Sequence, residues 1–224
     1  ATLDRTLEYG GKTVPIYRDR PLNVFSDVDF IWTGEENENQ RRLEYLGGEF
    51  RTRYGIDVSS FQGEIDWDAV ADDNIDFAMV RVGFRGTGTG SLNTDKYYEQ
   101  NIRGAMRAGL ETGVYFFAQA ATVEEAIEEA DYVISLLNGL DINGPVAYDW
   151  EMHDSTYRVY GTSPEMATAC AVAFCERIKD AGYTPMVYGG TYVTYMKYDQ
   201  GALADYLSWY PEYKLSLIHI SEPT

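Results

Sequence analysis

Gly113-Val114-Tyr115-Phe116-Phe117-Ala118, then Val123 to Leu137, then Val146-Ala147-Tyr148-Asp149-Trp150-Glu151 decide how this chain is to be read. Two short runs rich in β-branched and aromatic residues flank one amphipathic segment. Thr122 offers a side-chain oxygen where a helix would begin, and Glu124 and Glu125 place negative charge in its first turn. A strand, a helix and a second strand in that order form a βαβ unit, and its strands run parallel.

The same rhythm extends both ways. Further strands are predicted at Tyr54–Val58, Phe77–Val82, Pro185–Tyr188 and Ser208–Tyr213. Helices are predicted at Asp66–Asp72, Thr94–Ala108 and Ser163–Ala181, the last opening on Ser-Pro-Glu. Gly109 and Gly182 stand just past helix ends, where left-handed caps belong. The fold class is therefore α/β with a mostly parallel sheet. A doubly wound sheet and a β/α barrel both fit the rhythm. A barrel gathers functional groups at the carboxyl ends of its strands, where Asp57, Arg81, Asp149, Glu151 and Tyr188 fall. Gly86-Thr87-Gly88-Thr89-Gly90 is glycine-rich, but no helix starts on it, so it reads as a flexible loop.

Outside this core the pattern changes. Residues 1–52 read as an amino-terminal extension or the end of a preceding module. Within them a strand is predicted at Lys12–Tyr17, a polar loop at Glu35–Gln40 and a short helix at Arg41–Leu46. Residues 53–214 carry the barrel. Leu215 to Thr224 lack periodicity and resemble a translated sequencing adapter, so residues 215–224, with His219, are set aside as a foreign tail.

Composition narrows the function classes. The 224 residues carry a formal net charge of −18 and a pI near 4.4. That disfavours nucleic acid and anionic membrane surfaces as partners and suits a neutral or cationic polymer. No apolar run reaches the ~20 residues that cross a bilayer, and residues 1–30 hold no signal-peptide pattern. Cys170 and Cys175 fall five positions apart on one predicted helix, ~7–9 Å between Cα atoms, beyond bridging range. The two histidines, His153 and His219, leave little material for a histidine metal site or a Ser-His-Asp triad.

The chemistry centres on Asp149 and Glu151. Alternate strand residues share a face, so both acids point one way, ~6.5 Å apart at Cα, while Tyr148 and Trp150 point the other. Two carboxyls at the end of an apolar strand are costly unless something uses or pairs them. Glycoside hydrolysis needs such a pair, one carboxyl protonated and one ionised. A lone Asp-x-Glu is as compatible with a solvated strand end. Asp57 at the end of the first strand adds a third acid, and Tyr115, Phe117, Tyr188 and Trp209 supply faces on which sugar rings stack.

The ordered motifs are specific. Gly55-Ile56-Asp57-Val58-Ser59-Ser60-Phe61-Gln62-Gly63, Ile65-Asp66-Trp67, Phe77-Ala78-Met79-Val80-Arg81, Gly113-Val114-Tyr115-Phe116-Phe117, Tyr148-Asp149-Trp150-Glu151 and Pro185-Met186-Val187-Tyr188 follow one another as in glycoside hydrolase family 25, the Chalaropsis-type lysozymes, which the chain resembles over residues 54–214. The resemblance implies an irregular TIM-like β/α barrel and cleavage of the β-1,4 bond between N-acetylmuramic acid and N-acetylglucosamine in peptidoglycan. It gives Glu151 the role of general acid. Asp149 becomes the stabilising carboxylate or the group that orients the substrate's N-acetyl, and Asp57 positions the pair or the water. Arg81, Tyr115, Phe117, Tyr188 and Trp209 are the expected substrate-binding residues. No metal or organic cofactor is implied. The expected partner is the peptidoglycan glycan strand, without nucleic acid or membrane insertion, and the expected setting is extracellular or cell-wall associated. After Trp209-Tyr210-Pro211-Glu212-Tyr213 nothing matches, so the barrel is expected to lack its last strands, and the complete protein is expected to be a monomer.

Two other readings remain at this level. A non-catalytic peptidoglycan-binding barrel would keep the aromatic groove and lose an acid, yet both acids are present. A chitinase-like enzyme would carry two further aspartates upstream, where this chain has Pro145-Val146-Ala147-Tyr148.

Overall fold

The computed structural model describes residues 3–9, 11–17, 30–34, 42–48 and 51–211. Two hairpins come first. β1 (Leu3–Tyr9) pairs antiparallel with β2 (Lys12–Tyr17), and β3 (Phe30–Thr33) with β4 (Arg42–Tyr45). β4 corrects the helix expected at Arg41–Leu46. A six-residue segment has little helical stability of its own in water, so its tertiary partners decide its conformation. Tyr45 instead meets Phe30 across the pair, ring centroids 5.6 Å apart. The polar segment Glu35–Gln40 and the tail Leu215–Thr224 lie outside the described residues.

The main sheet follows the predicted rhythm. Its strands are β5 (Gly55–Val58), β6 (Phe77–Arg85), β8 (Glu111–Ala118), β9 (Val146–Trp150), β10 (Pro185–Tyr188) and β11 (Leu207–Trp209), in spatial order β11-β10-β9-β8-β6-β5. Every pair along that path is parallel. β7 (Leu92–Thr94), which was not foreseen, folds back antiparallel onto β6 through the Gly86–Gly90 loop. The helix expected from Thr94 consequently starts only at Tyr98.

Helices α1 (Trp67–Asp72), α2 (Tyr98–Arg107), α3 (Val123–Leu136) and α4 (Pro164–Asp180) connect the strands, and a short α5 (Thr191–Met196) was likewise not foreseen. Three of these five starts are set by side chains. Asp66, Thr122 and Ser163 each accept a hydrogen bond from a first-turn amide, as sequence reading expected of Thr122 and Ser163. The result is a curled half-barrel with helices outside, consistent with an irregular TIM-like α/β fold. Among the described residues its outer strands are β5 and β11.

The core lies between sheet and helices. Phe116, Tyr148, Trp150, Phe174, Ile102 and Ile178 are fully buried. Tyr148 meets Phe174 of α4 at 4.7 Å between centroids, and Trp150 meets Tyr198 at 6.3 Å. Each such side chain contributes about 1.5–3 kcal/mol by leaving water. Cys170 and Cys175 sit in the same layer as buried free thiols. Burial pushes Cys170 up to about 12 and Cys175 higher still.

One close approach fixes how α2 meets α1. Gly104 faces the buried indole of Trp67, and a Cβ there would overlap its Cδ1, Nε1 and Cγ atoms. On an exposed helix Gly→Ala stabilises by about 1 kcal/mol. Here the rigid ring must move, and overpacking of this kind costs about 1–3 kcal/mol. Gly104→Ala is therefore expected to lower the denaturation midpoint, measured by circular dichroism. An unchanged or raised midpoint would show that Trp67 can yield.

Candidate active site

Sheet register assembles the site. Across β8, β9, β10 and β11, Phe117 is beside Asp149, Asp149 beside Tyr188, and Tyr188 beside Trp209. Neighbours in a parallel ladder share a face, so these four side chains form one row. Tyr115 lies two residues before Phe117, and Glu151 two after Asp149, on the same face. Arg81 of β6 pairs in register with Tyr115. A cleft of about 530 Å³ opens over this row at the carboxyl ends of the strands. All eight residues singled out from sequence line it: Asp57, Arg81, Tyr115, Phe117, Asp149, Glu151, Tyr188 and Trp209.

Their environments differ. Asp57 is exposed, whereas Asp149 is 8% exposed and its Oδ1 is buried without a hydrogen-bond partner. The role of stabilising carboxylate expected for Asp149 needs it ionised. The burial of Asp149 works against that. Burial first, then the charges of Glu151 and Asp57, pushes Asp149 well above the usual carboxylate range, and Arg81 only partly offsets them. The Glu151 side chain is about a quarter exposed, and its Oε2 lies 3.1 Å from His153 Nε2.

Arg81 is itself held. Its Nε and Nη2 donate to Asp95 Oδ2 at 2.9 and 2.8 Å, and Nη2 donates to Ser60 Oγ at 3.2 Å. Asp95 is raised by burial, but the amides of Ser60 and Tyr97 and the Arg81 guanidinium outweigh that and leave it below its ordinary value. The aromatic wall is braced edge to face, with Trp209 5.1 Å from Tyr188 and 6.1 Å from Tyr115. Burial also raises the Tyr115 phenol far above its usual pKa, so it stays neutral.

Several contributors escaped sequence reading. Ser59, Phe61, Gln62, Tyr210 and Pro211 also line the cleft. Ser59 and Gln62 form a capping box around the turn Ser60–Gln62, a Ser-x-x-Gln signal that is visible in the sequence. Behind the site, Gln119 Nε2 donates to the Glu151 carbonyl at 2.7 Å, and the Gln119 amide donates to Glu129 Oε1 at 3.0 Å. Arg85 Nε donates to that same Glu129 oxygen at 2.8 Å. Arg158, from the loop after β9, donates to the Gln119 carbonyl and forks onto Glu125 at 2.8 and 2.6 Å. That fork draws Glu125 down to about 2. No short-range pattern announces partners 33 to 44 residues apart.

The family model for glycosyl hydrolases family 25 matches residues 56–220. The chain belongs to that family. It is 26% identical over 163 residues to the autolytic lysozyme of Clostridium acetobutylicum, covering 72% of this chain and 45% of that protein. The chain thus spans about half the length of that relative. Among solved structures, the lysozyme from Streptomyces coelicolor superposes with a TM-score of 0.59 at 24% identity, over 77% of this chain and 78% of that one. The modular autolysin LytC from Streptococcus pneumoniae superposes with a TM-score of 0.67 at 22% identity, over 94% of this chain and 49% of that one. At these identities the two structures establish the fold alone.

The burial of Asp149 has a thermodynamic consequence. Its folded pKa is raised above the unfolded value of ~3.9, so the stability it contributes is full below ~3.9 and is lost as pH rises through the folded pKa. Asparagine has no proton to lose. Asp149→Asn is expected to raise Tm near pH ~7, with the gain shrinking towards pH ~4. A Tm difference that stays constant over that range in calorimetry would refute the assignment.

Proposed function

We propose that this chain hydrolyses the β-1,4 bond between N-acetylmuramic acid and N-acetylglucosamine in peptidoglycan. The observation that carries the reading is that Asp149 of β9 and Glu151, the residue just past its end, line one aromatic-rich cleft in a family 25 chain. The likeness to a protein named autolytic lysozyme supports the substrate. So does a structure of the pneumococcal autolysin in complex with a synthetic peptidoglycan ligand. The site of action is then the bacterial cell wall, outside the membrane, and the partner is the glycan strand.

Glu151 is the general acid. It is the more accessible carboxyl of the β9 pair, and its main chain is fixed by Gln119. It gives its proton to the glycosidic oxygen as the bond from the sugar carbon breaks. Positive charge then develops at that carbon and the ring oxygen. Asp149, beneath it, supplies the opposing negative charge or aligns the N-acetyl group. The low-dielectric setting that makes a lone Asp149 carboxylate unfavourable also strengthens its attraction to a cation formed beside it. Water adds to the sugar carbon, and its proton returns to Glu151. Asp57, at the mouth and within electrostatic reach of Asp149, positions the pair or the water. Arg81, Tyr115, Phe117, Tyr188 and Trp209 bind and orient the sugars.

Replacing Glu151 by Gln keeps shape and removes the proton. Turnover of purified peptidoglycan, followed by new muramic acid reducing ends, is expected to fall at least ~10²-fold, with binding to the insoluble polymer retained. Wild-type turnover by Glu151→Gln would overturn the mechanism. Binding without hydrolysis by the parent chain would favour a carbohydrate-binding role.

A further inference from the structure

Phe61 is 85% exposed, more than any other large apolar side chain among the described residues, yet it is not on a loose loop. It sits in the turn Ser60–Gln62 directly after β5. The Ser59 hydroxyl accepts from the Phe61 amide at 3.2 Å, and the Gln62 side chain accepts from the Ser59 amide at 2.8 Å. The preceding amide, Ser60 N, donates to the fully buried carboxylate of Asp95 at 2.9 Å. Below the ring, the Arg81 guanidinium lies 5.0 Å from its centroid and is pinned by the same Asp95 oxygen. One face of Phe61 therefore rests on a fixed cation. The other face is bare, and the residue lines the same cleft as the three acids.

Exposing an aromatic ring to water is unfavourable, and holding it rigid adds an entropic cost. Neither helps the fold. Both suit a surface that must meet a flat apolar partner without rearranging. The sugar-facing residues expected from sequence are differently placed. Tyr188 is buried, and Tyr115 and Tyr188 each meet Trp209 edge to face, so these rings are engaged in bracing the wall.

Sheet order gives the location. Phe61 follows β5, at the opposite outer strand from Trp209 and Tyr210, and β9 with its acids lies between. Three strand steps separate β9 from β5, so Phe61 stands at the β5 end of the cleft, to one side of the acids carried by β9. We infer that Phe61 is the stacking platform of a distal subsite, taking the apolar face of an N-acetylated pyranose further along the same glycan strand. The inference rests on the cell-wall reading above and adds where and by what chemistry the polymer is held away from the acids.

The test separates the platform from the catalytic reading by measuring binding in the Glu151→Gln background. Long glycan strands freed of stem peptides are the probe, with a muramic-acid-containing tetrasaccharide as the short comparison. Adding Phe61→Ala should weaken binding to long strands about five- to tenfold and leave the tetrasaccharide unchanged, and Phe61→Trp should restore it. In the otherwise unaltered chain, Phe61→Ala should raise KM for long strands without changing kcat, and Tm should hold because the ring is exposed. Tyr192→Ala, which removes an exposed aromatic on α5 that does not line the cleft, should change neither. Unaltered binding of long strands by Phe61→Ala would overturn the proposal, whether or not the chain hydrolyses peptidoglycan. So would an equal loss on both lengths, which would mark a structural role through Arg81. A loss seen only when stem peptides are present would assign the ring to peptide instead of sugar.

Discussion

Every residue of β9 is buried, and the strand alternates what it can tolerate. Tyr148 and Trp150 turn into the helical layer, where Phe174 and Tyr198 surround them. Asp149 must then face the other way, into the concave side of the sheet. Among the described residues, Arg81 is the cation that favours a carboxylate there, with Glu151 and Asp57 opposing. The helical packing that stabilises the fold thus forces an unfavourable charge into the cleft. A shift of one residue in register would exchange the faces and bury Tyr148 and Trp150 in nothing. The catalytic face and the core are two sides of one strand.

Such a strand end needs support, and the support is ionic. Arg85 is nearly inaccessible, and Glu129 wholly so, yet they meet at 2.8 Å behind the sheet. A buried pair of this kind adds little to stability compared with apolar packing, but losing one partner is costly. Its effect is geometric. It fixes Gln119, and Gln119 fixes the Glu151 main chain. Arg158 closes the ring by tying the loop after β9 to Glu125 and Gln119.

The parts legible from sequence are those that act locally. Short runs of β-branched and aromatic residues marked the strands of the parallel ladder, and Thr122 and Ser163 marked helix starts, because a cap is made within four residues. Asp149 and Glu151 were legible as a same-face pair for the same reason. Ordered motifs then selected the barrel over the doubly wound sheet, which rhythm alone left open. What stayed hidden depended on distant partners. Arg42–Tyr45 became a strand because Phe30 was available to it. Leu92–Thr94 became a strand because β6 runs past the parallel ladder and leaves an edge to pair. The burial of Asp149 stayed hidden because it comes from strands on either side, not from its neighbours in the chain.

Cys170 and Cys175 lie within the helical layer, and burial keeps both protonated. Thiolate is the reactive form, so in the folded protein neither sulfur offers a nucleophile to an oxidant or an alkylating reagent. Both become ordinary thiols once α4 leaves the sheet. The rate at which they are labelled therefore reports opening of the layer that holds β9 in place. The molecule carries its own probe of whether the strand beneath the acids is seated.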